Sequence, residues 1–451
     1  MKKSNPRDLA LGVLNQLAKQ GFFLDDQLNQ LFETHTYLDD RDKAFINQLV
    51  HGVLRWRLRL DWIIGQAAES PLKKIHPLAL NVLRLACLQI FFLDKVPESA
   101  AVNEAVLQIK RKKLFHLAAF ANGLLRNLCR SKDQISFPNK THDPVRFLSV
   151  FYSYPEWLVQ KWLTEFGLEF CESLLAAGNQ VPKTTLRVNS LQIGRDEFIL
   201  RLGEQGILGK PTQYAPLGVE LVDFRGRVTE LSAFNAGWFQ VQDQAAQIVT
   251  YLLDPKPHEK VLDLCAGLGG KTSHLAQLMN NRGLIIALDR EWKRLRLQVQ
   301  NNKRLDIKSI HPVLGDAIQA PFLFSKPFDK ILIDAPCSGL GVMARHPDAK
   351  WNRSETDLRH LPDLQAAMLH SAGLLLRRGG KMLYATCTLN PEENERVIDG
   401  FLKAHEDFHL IPLRQTAPDW AQALINDRGF LETFPSVHDM DGFFAALLTK
   451  E

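Results

Sequence analysis

Residues 260–272 read KVLDLCAGLGGKT, and this stretch decides the fold of the chain. An apolar run at its start leads into a glycine-rich turn, and a helical pattern follows through Met279. Four further apolar runs, each separated from the next by a helical pattern, occupy residues 283–289, 309–314, 330–334 and 381–386. Apolar strands alternating with helices predict an α/β domain whose parallel sheet is covered on both faces. Ligands of such sheets bind beyond the carboxyl ends of the strands.

The glycine-rich turn is open to three interpretations. A phosphate-binding P-loop requires glycine where Cys265 stands, and a dinucleotide fingerprint that starts at Gly267 requires glycine where Thr272 stands. The third is a site for S-adenosylmethionine, which has no phosphate to bind and needs an acid for its ribose hydroxyls. Asp289 follows the glycines by about 20 residues, as that geometry requires, and Asp316 ends the third strand, where the adenine would lie. We predict S-adenosylmethionine, although both acids also fit solvated loops.

Two cysteines follow adjacent strands of the predicted sheet. Cys337 lies just beyond the fourth strand and Cys387 just beyond the fifth. In the common strand order 3-2-1-4-5 these strands are neighbours, so both thiols would reach one cleft. A thiolate that adds to carbon 6 of cytosine turns carbon 5 into a nucleophile that can accept a methyl group. Asp334, at the end of the fourth strand, could polarise the base, and the pattern favours methylation of carbon 5 of cytosine.

The first 235 residues contain two further predicted domains. Helical spacing of apolar residues from Asn5 to Arg130 predicts a bundle of six or seven helices. A helix at residues 155–177, strands at 184–189 and 218–222, and a helix at 195–205 predict a small α+β module. The predicted domains are residues 1–135 for the bundle, 136–146 for a linker rich in turn formers, 147–235 for the module and 236–451 for the α/β domain.

Charge is concentrated near the N-terminus. Residues 1–140 contain 21 Lys and Arg against 13 Asp and Glu, although the formal net charge of the chain is only +5. This excess suits a polyanion such as RNA, and a solvated helical surface explains it equally well.

Location and metal content follow from the same sequence. The start Met1-Lys2-Lys3 meets Asp8 before any apolar core of signal-peptide length, and residues 78–93 are interrupted by polar side chains. The six cysteines are scattered without the spacing of a zinc site. We therefore expect a cytoplasmic protein with reduced thiols, no membrane contact and no metal.

The motifs together resemble the bacterial ribosomal RNA small-subunit methyltransferase B family, also called Sun or Fmu, over nearly the whole chain. The family motifs that match are Gly237-Trp238-Phe239-Gln240-Val241-Gln242-Asp243, the glycine-rich turn, Asp334-Ala335-Pro336-Cys337-Ser338-Gly339, Arg345-His346-Pro347-Asp348 with Trp351, Thr386-Cys387-Thr388 and Asp441-Gly442-Phe443-Phe444. The resemblance implies three parts: an all-α NusB-like RNA-binding bundle, a small α+β (RRM-like) module, and a Rossmann-like methyltransferase domain with a mainly parallel seven-stranded sheet.

The resemblance also implies roles for individual residues. Cys387 would be the nucleophile and Cys337 would assist release of the methylated RNA. Spacing alone leaves this assignment open, because cytosine-5 DNA methyltransferases place their nucleophile in a Pro-Cys motif like that of Pro336. The implied cofactor contacts are Cys265, Ala266, Gly267, Leu268, Gly269, Gly270, Lys271, Asp289, Asp316 and Asp334. The family commonly has Ala-Pro where this chain has Gly267-Leu268, so the turn loses a rigid proline, which would modestly weaken cofactor affinity.

The implied substrate is 16S ribosomal RNA, naked or in early assembly, bound by a monomer. Two alternatives remain open at this stage. Related enzymes modify transfer RNA, and the motifs do not distinguish the substrates; only the N-terminal bundle favours ribosomal RNA. The chain could also be an RNA-binding or antitermination factor without catalysis.

Overall fold

The computed structural model describes residues 5–19, 23–224, 226–323 and 325–451. The basic start Met1-Lys2-Lys3 lies outside the described residues. The chain divides into two compact units: Met1–Gln180 with Met343–Asn352, and Val181–Val342 with Arg353–Glu451.

The first unit begins with the predicted helical bundle, which is confirmed. Its seven helices within residues 6–130 are α1 Pro6–Leu17, α2 Leu24–Thr34, α3 Asp40–Arg55, α4 Arg57–Ala67, α5 Pro77–Phe92, α6 Glu98–Arg111 and α7 Ala118–Arg130. Leu11, Ile46, Leu49 and Leu85 are fully buried in one shared core. These apolar residues recur every three or four positions, so one stripe of each helix is buried.

Two more helices complete this stretch of the chain, α8 Pro144–Tyr152 and α9 Glu156–Ala177. Gly167 breaks the helical geometry inside α9, with φ of +75°. Both helices belong to the first unit. Our domain boundaries, which separate a linker at 136–146 from a module starting at 147, stay a prediction.

The second unit begins with the predicted small α+β module. Its elements are β1 Thr184–Val188, α10 Arg195–Gly203, β2 Gly209–Pro211, β3 Gly218–Leu221, α11 Ser232–Asn235 and β4 Phe239–Val241. The strands form an antiparallel sheet in the order β2-β3-β1-β4. Phe198 of α10 and Phe239 of β4 are fully buried in its core. The two predicted strands and the helix between them are confirmed.

The rest of the chain builds the large sheet. Its elements are α12 Gln244–Leu253, β5 Lys260–Asp263, α13 Gly270–Leu278, β6 Leu284–Asp289, α14 Trp292–Arg304, β7 Ile310–Leu314, β8 Phe328–Asp334, α16 Glu355–Leu375, β9 Leu376–Thr386, α17 Glu395–Ala404, β10 Phe408–Ile411, β11 Leu431–Glu432, α18 Pro435–His438 and β12 Phe444–Lys450. The short helix α15 Ala349–Asn352 falls between β8 and α16 in the chain but belongs to the first unit. Seven strands stand in the order β10-β12-β9-β8-β5-β6-β7, and β11 adds a two-residue pairing to β12. The five predicted strands are parallel neighbours in the predicted order, with the antiparallel strands beyond β9.

Arg187 of β1 connects the small sheet to the helix that follows the glycine-rich turn. Its side chain is fully buried. The guanidinium donates to Gln277 Oε1 at 3.1 Å, Ser273 Oγ at 2.7 Å and the Gly270 carbonyl at 2.6 Å, and also to Gln242. All four acceptors are neutral, and burial lowers the pKa of Arg187 to about 9.

Replacing Arg187 with methionine should destabilise the second unit. The substitution leaves several buried acceptors without a donor, which costs roughly 2–3 kcal/mol of unfolding free energy. Arg201→Met, on α10 of the same module and half-exposed, is the matched control. Denaturant unfolding measures both, and equal losses in the two variants would contradict a bridging role for Arg187.

Candidate functional site

The glycine-rich turn lies at the carboxyl end of β5 and is held by the end of β6. Gly267 and Gly269 have φ of +55° and +80°, a region that favours glycine. Asp289 Oδ2 accepts the amide of Gly267 at 2.8 Å, and Asp289 Oδ1 accepts the amide of Glu291 at 2.8 Å. The predicted acid therefore touches the predicted turn.

The surroundings of the turn fit an adenosyl amino acid. A Cβ built on Gly267 would meet no atom within 4 Å, so there is open space beside the turn. Helix α13 begins at Gly270, and the amides of a first helical turn have no partner inside their helix and can bind a carboxylate. Asp289 keeps lone pairs beyond its two backbone bonds, which can accept hydroxyl groups. Cys265 is partly buried within 3.9 Å of Met368 Sδ.

Asp316 stands in a different setting. It lies two residues beyond β7, is exposed, and accepts the amide of Ile318 at 2.8 Å. This hydrogen bond does not reach the glycine-rich turn, so the part of Asp316 in cofactor binding stays a prediction.

The two cysteines meet, as expected from the strand order. Cys337 Sγ and Cys387 Sγ are 3.2 Å apart, and both residues are partly buried. Their strands β8 and β9 are parallel neighbours, with Asp334 opposite Ala385 in the register. The contact with Cys387, together with burial, raises the pKa of Cys337 well above its ordinary value.

A cation lies close to this pair. Lys271 Nζ is 2.7 Å from Asp334 Oδ2 and 5.0 Å from the centre of the Phe443 ring. Burial acts to lower the pKa of Lys271, but the Asp334 carboxylate outweighs it, and negative charge on Cys387 adds to the rise. The net pKa of Lys271 is raised, so its ammonium is present near the thiols at neutral pH.

Asp263 is a feature of the site that sequence reasoning missed. It ends β5, is 1% exposed, and accepts the Thr272 hydroxyl at 2.6 Å through Oδ2, while Oδ1 is buried with no hydrogen bond. Burial, and secondarily the charge of Asp334, raise the pKa of Asp263 to about 7. A polar residue inside an apolar strand was the only sequence signal.

Hydrogen bonds from Gly341, Gly442 and Arg353 hold the loops that carry the cysteines. The sequence alone predicted no role for these residues. The amide of Gly341 donates to the Cys387 carbonyl at 3.0 Å, and the amide of Gly442 donates to the Gly341 carbonyl at 2.8 Å. A Cβ on Gly341 would lie 2.0 Å from the Gly442 carbonyl oxygen, so only glycine fits. Arg353 donates to the carbonyls of Ser338 and Cys337 at 3.2 and 3.4 Å.

The Arg345-His346-Pro347-Asp348 motif with Trp351 lies in the segment that belongs to the first unit. Trp351 Nε1 donates to the Leu54 carbonyl at 2.7 Å. Lys350 is 1% exposed, donates to Asn179 Oδ1 at 2.6 Å and lies 3.6 Å from the centre of the Tyr154 ring. Burial lowers the pKa of Lys350 well below its ordinary value. These contacts anchor the motif within the first unit.

The described residues include no group of three or more His, Cys, Asp or Glu side chains arranged to hold a metal ion. No helix among them has the length and apolar character needed to cross a membrane.

Comparisons with known proteins agree with this layout. A family model described as 16S rRNA methyltransferase RsmB/F matches residues 250–449, one for the NusB family matches 4–130, and one for the RsmF/B-like ferredoxin-like domain matches 154–226. The chain is 34% identical to the probable ribosomal RNA small subunit methyltransferase B of Bacillus subtilis, covering 100% of both chains. It is 36% identical to the protein of the same name from Synechocystis, covering 98% of this chain and 99% of the relative.

Solved structures show the same similarity. The crystal structure of PH0851 superposes with a TM-score of 0.82 at 27% identity and covers 99% of both chains. A methyltransferase homologue from Pyrococcus horikoshii has a TM-score of 0.59 at 30% identity and covers 67% of this chain and 98% of its own.

The raised pKa of Asp263 predicts a pH-dependent stability. The folded state holds the proton up to about pH 7 and the unfolded state releases it near pH 4, so unfolding free energy falls as pH rises between those values. The loss is on the order of 1 kcal/mol per unit of pKa shift. Asp263→Asn should remove this slope, while Asp427→Asn, at a fully exposed position, should keep it. Denaturation at pH 5 and pH 8 measures the effect, and parallel slopes for wild type and Asp263→Asn would refute it.

Proposed function

Because this chain belongs to the ribosomal RNA small subunit methyltransferase B family, we propose that it transfers a methyl group to carbon 5 of a cytosine in 16S ribosomal RNA. The observation that carries the proposal is the 3.2 Å approach of Cys337 Sγ and Cys387 Sγ beside the glycine-rich turn. A methyltransferase that acts on an exocyclic amine needs no thiol, whereas carbon 5 of cytosine must first be activated.

We assign the nucleophile to Cys387. Its thiolate would add to carbon 6, forming a carbon–sulfur bond and leaving carbon 5 able to take the methyl group. Loss of the carbon 5 proton would then restore the ring double bond and expel the thiolate. The raised pKa of Cys337 supports this order, because the contact with Cys387 and burial disfavour a thiolate on Cys337. The ammonium of Lys271, paired with Asp334, lies near the thiol pair.

Asp334 would orient the cytosine. Its Oδ2 is paired with Lys271. Its Oδ1 would accept a hydrogen bond from the amino group of the base. The Lys271 pairing also limits rotation of the carboxylate. Cys337 would assist release of the methylated RNA after carbon 5 is substituted.

S-adenosylmethionine, when bound, supplies the methyl group as an electrophile on its sulfonium. We infer that the glycine-rich turn, Cys265 to Lys271, would bind its amino acid part, with Asp289 at the ribose hydroxyls and Asp316 near the adenine. The groups that would bind the cofactor are backbone amides, which donate hydrogen bonds, and carboxylates, which accept them. Such groups suit S-adenosylmethionine and require no metal.

Ribosomal RNA is the favoured substrate over transfer RNA. The excess of Lys and Arg in residues 1–140 would bind phosphates of a structured RNA. The target base would be turned out of its stack to reach the thiols. A monomer that acts in the cytoplasm on naked or early-assembly RNA stays our prediction.

Substitution of each cysteine separates the two roles. Cys387→Ala should abolish methyl transfer, because no thiolate remains to activate the ring. Cys337→Ala should accumulate a protein–RNA adduct that survives denaturing electrophoresis. Cys171→Ala, which removes a buried cysteine outside the site, is the control and should retain activity. Adduct in Cys387→Ala and none in Cys337→Ala would reverse the assignment.

Substrate choice can be measured directly. Bisulfite sequencing of total RNA from cells with and without the gene should show one cytosine signal in 16S ribosomal RNA that is lost with the gene. Purified protein should incorporate labelled methyl into 16S RNA and leave transfer RNA unlabelled. Loss of a transfer RNA signal would name the alternative substrate, and RNA binding without methyl incorporation would favour the antitermination alternative.

A further inference from the structure

A buried carboxylate lies between the two cysteine loops. Glu393 follows Cys387 by six residues and its side chain is fully buried. Its carboxylate accepts the amide of Ser338 at 2.8 Å and the side-chain amides of Gln365 and Asn390, each at 3.1 Å. It also accepts the hydroxyls of Ser338 and, at 3.4 Å, Thr388. These five residues form the Glu393 hub.

The hub contacts the residue that follows each cysteine. Ser338 directly follows Cys337, and Thr388 directly follows Cys387. The two hydroxyls lie 2.7 Å apart, and both bond to the same carboxylate. One side chain therefore fixes the loop after β8 relative to the loop after β9.

Glu393 is itself held in place from several sides. Tyr384 of β9 donates its hydroxyl to the Glu393 carbonyl at 2.6 Å. The next residue, Asn394, accepts the Thr386 hydroxyl at 2.6 Å and donates to the Thr388 carbonyl at 3.0 Å. Gln365 of α16 also donates to the Pro336 carbonyl at 3.0 Å. The hub is therefore tied to β9, α16 and the Pro-Cys loop.

The chemistry of the hub requires an acceptor without a donor. A carboxylate offers only lone pairs, and here it meets five donors. A glutamine would turn an NH₂ group toward some of them and leave a buried donor unmatched. Burial of a carboxylate carries a desolvation cost that an apolar residue would avoid.

We propose that Glu393 is a positioning residue that holds the Cys337 thiol against Cys387, so that Cys337 can act once the methyl group has been transferred. This inference rests on the proposed function. Glu393 touches neither RNA nor cofactor in this role; it acts through Ser338 and Thr388. Loosening the hub would separate the sulfur atoms while leaving the glycine-rich turn intact.

Thiol cross-linking tests the geometry independently of methyl transfer. Diamide takes two electrons and two protons from a pair of nearby thiols, is reduced to the hydrazine, and leaves a disulfide. In wild-type protein the Cys337–Cys387 disulfide should be among the first disulfides to form. Peptide mass spectrometry measures its rate of formation. In Glu393→Ala the rate of this cross-link should fall by roughly 10-fold or more, because disulfide formation requires close, aligned thiols.

Kinetics tests the consequence for the reaction. Glu393→Ala should lower kcat by roughly 100-fold with little change in the KM for RNA, because misplacement of a reacting group by about 1 Å has that effect. It should also accumulate the covalent RNA adduct, as Cys337→Ala does. Its affinity for S-adenosylmethionine should stay near that of wild type, which also reports that the domain is folded. Glu392→Gln, the half-exposed neighbour paired with Arg396, is the matched control and should behave as wild type.

Each outcome has a defined meaning. Cross-linking and adduct levels in Glu393→Ala equal to those of Glu392→Gln overturn the inference. If Glu393→Ala does not fold, Glu393→Gln decides: slower cross-linking than wild type supports the hub, and an unchanged rate refutes it. A wild-type protein that forms the disulfide but adds no methyl to cytosine would refute the proposed function, while the cross-linking comparison would still test the hub.

Discussion

The parallel pairing of β8 with β9 is the constraint on which the site depends. Parallel strands deliver their carboxyl ends to the same edge of a sheet, so residues 50 positions apart in the chain become neighbours there. Cys337 and Cys387 meet for this reason, and no local feature of either loop would bring them together. The hydrogen bond from Gly341 to the Cys387 carbonyl and the bonds of the Glu393 hub link the two cysteine loops around the 3.2 Å contact of their sulfur atoms.

Electrostatics then gives the two chemically identical thiols different surroundings, in keeping with the separate roles proposed for them. The contact with Cys387, burial and the charge of Glu393 raise the pKa of Cys337, while the ammonium of Lys271 lies near Cys387. Lys271 belongs to α13, immediately after the glycine-rich turn. The same short helix therefore contributes to the proposed cofactor site and to the surroundings of the thiol pair. Arg187 of the small sheet donates hydrogen bonds to Gly270 and Ser273 of this helix.

Much of the architecture could be predicted because it depends on the local spacing of apolar residues along the chain. The helical bundle, two of the four strands of the small module and the order of the five parallel strands all follow from apolar spacing and turn residues. The Cys337–Cys387 approach followed from strand order alone. The residues missed from the sequence are the buried polar side chains Asp263, Arg187 and Glu393. Arg187 and Glu393 bond to distant segments of the chain, and burial of a single polar residue such as Asp263 leaves no periodic signal.

The sequence by itself determined the fold class, the turn chemistry at residues 265–271, and the pair of strand ends at which the thiols stand, because each depends on residues close together in the chain. Only the tertiary structure decided which thiol has the raised pKa, that the Trp351 segment belongs to the first unit, and that Asp263 is a buried acid with a pKa of about 7. Those properties depend on burial and on long-range hydrogen bonds, which exist only once distant segments have packed together.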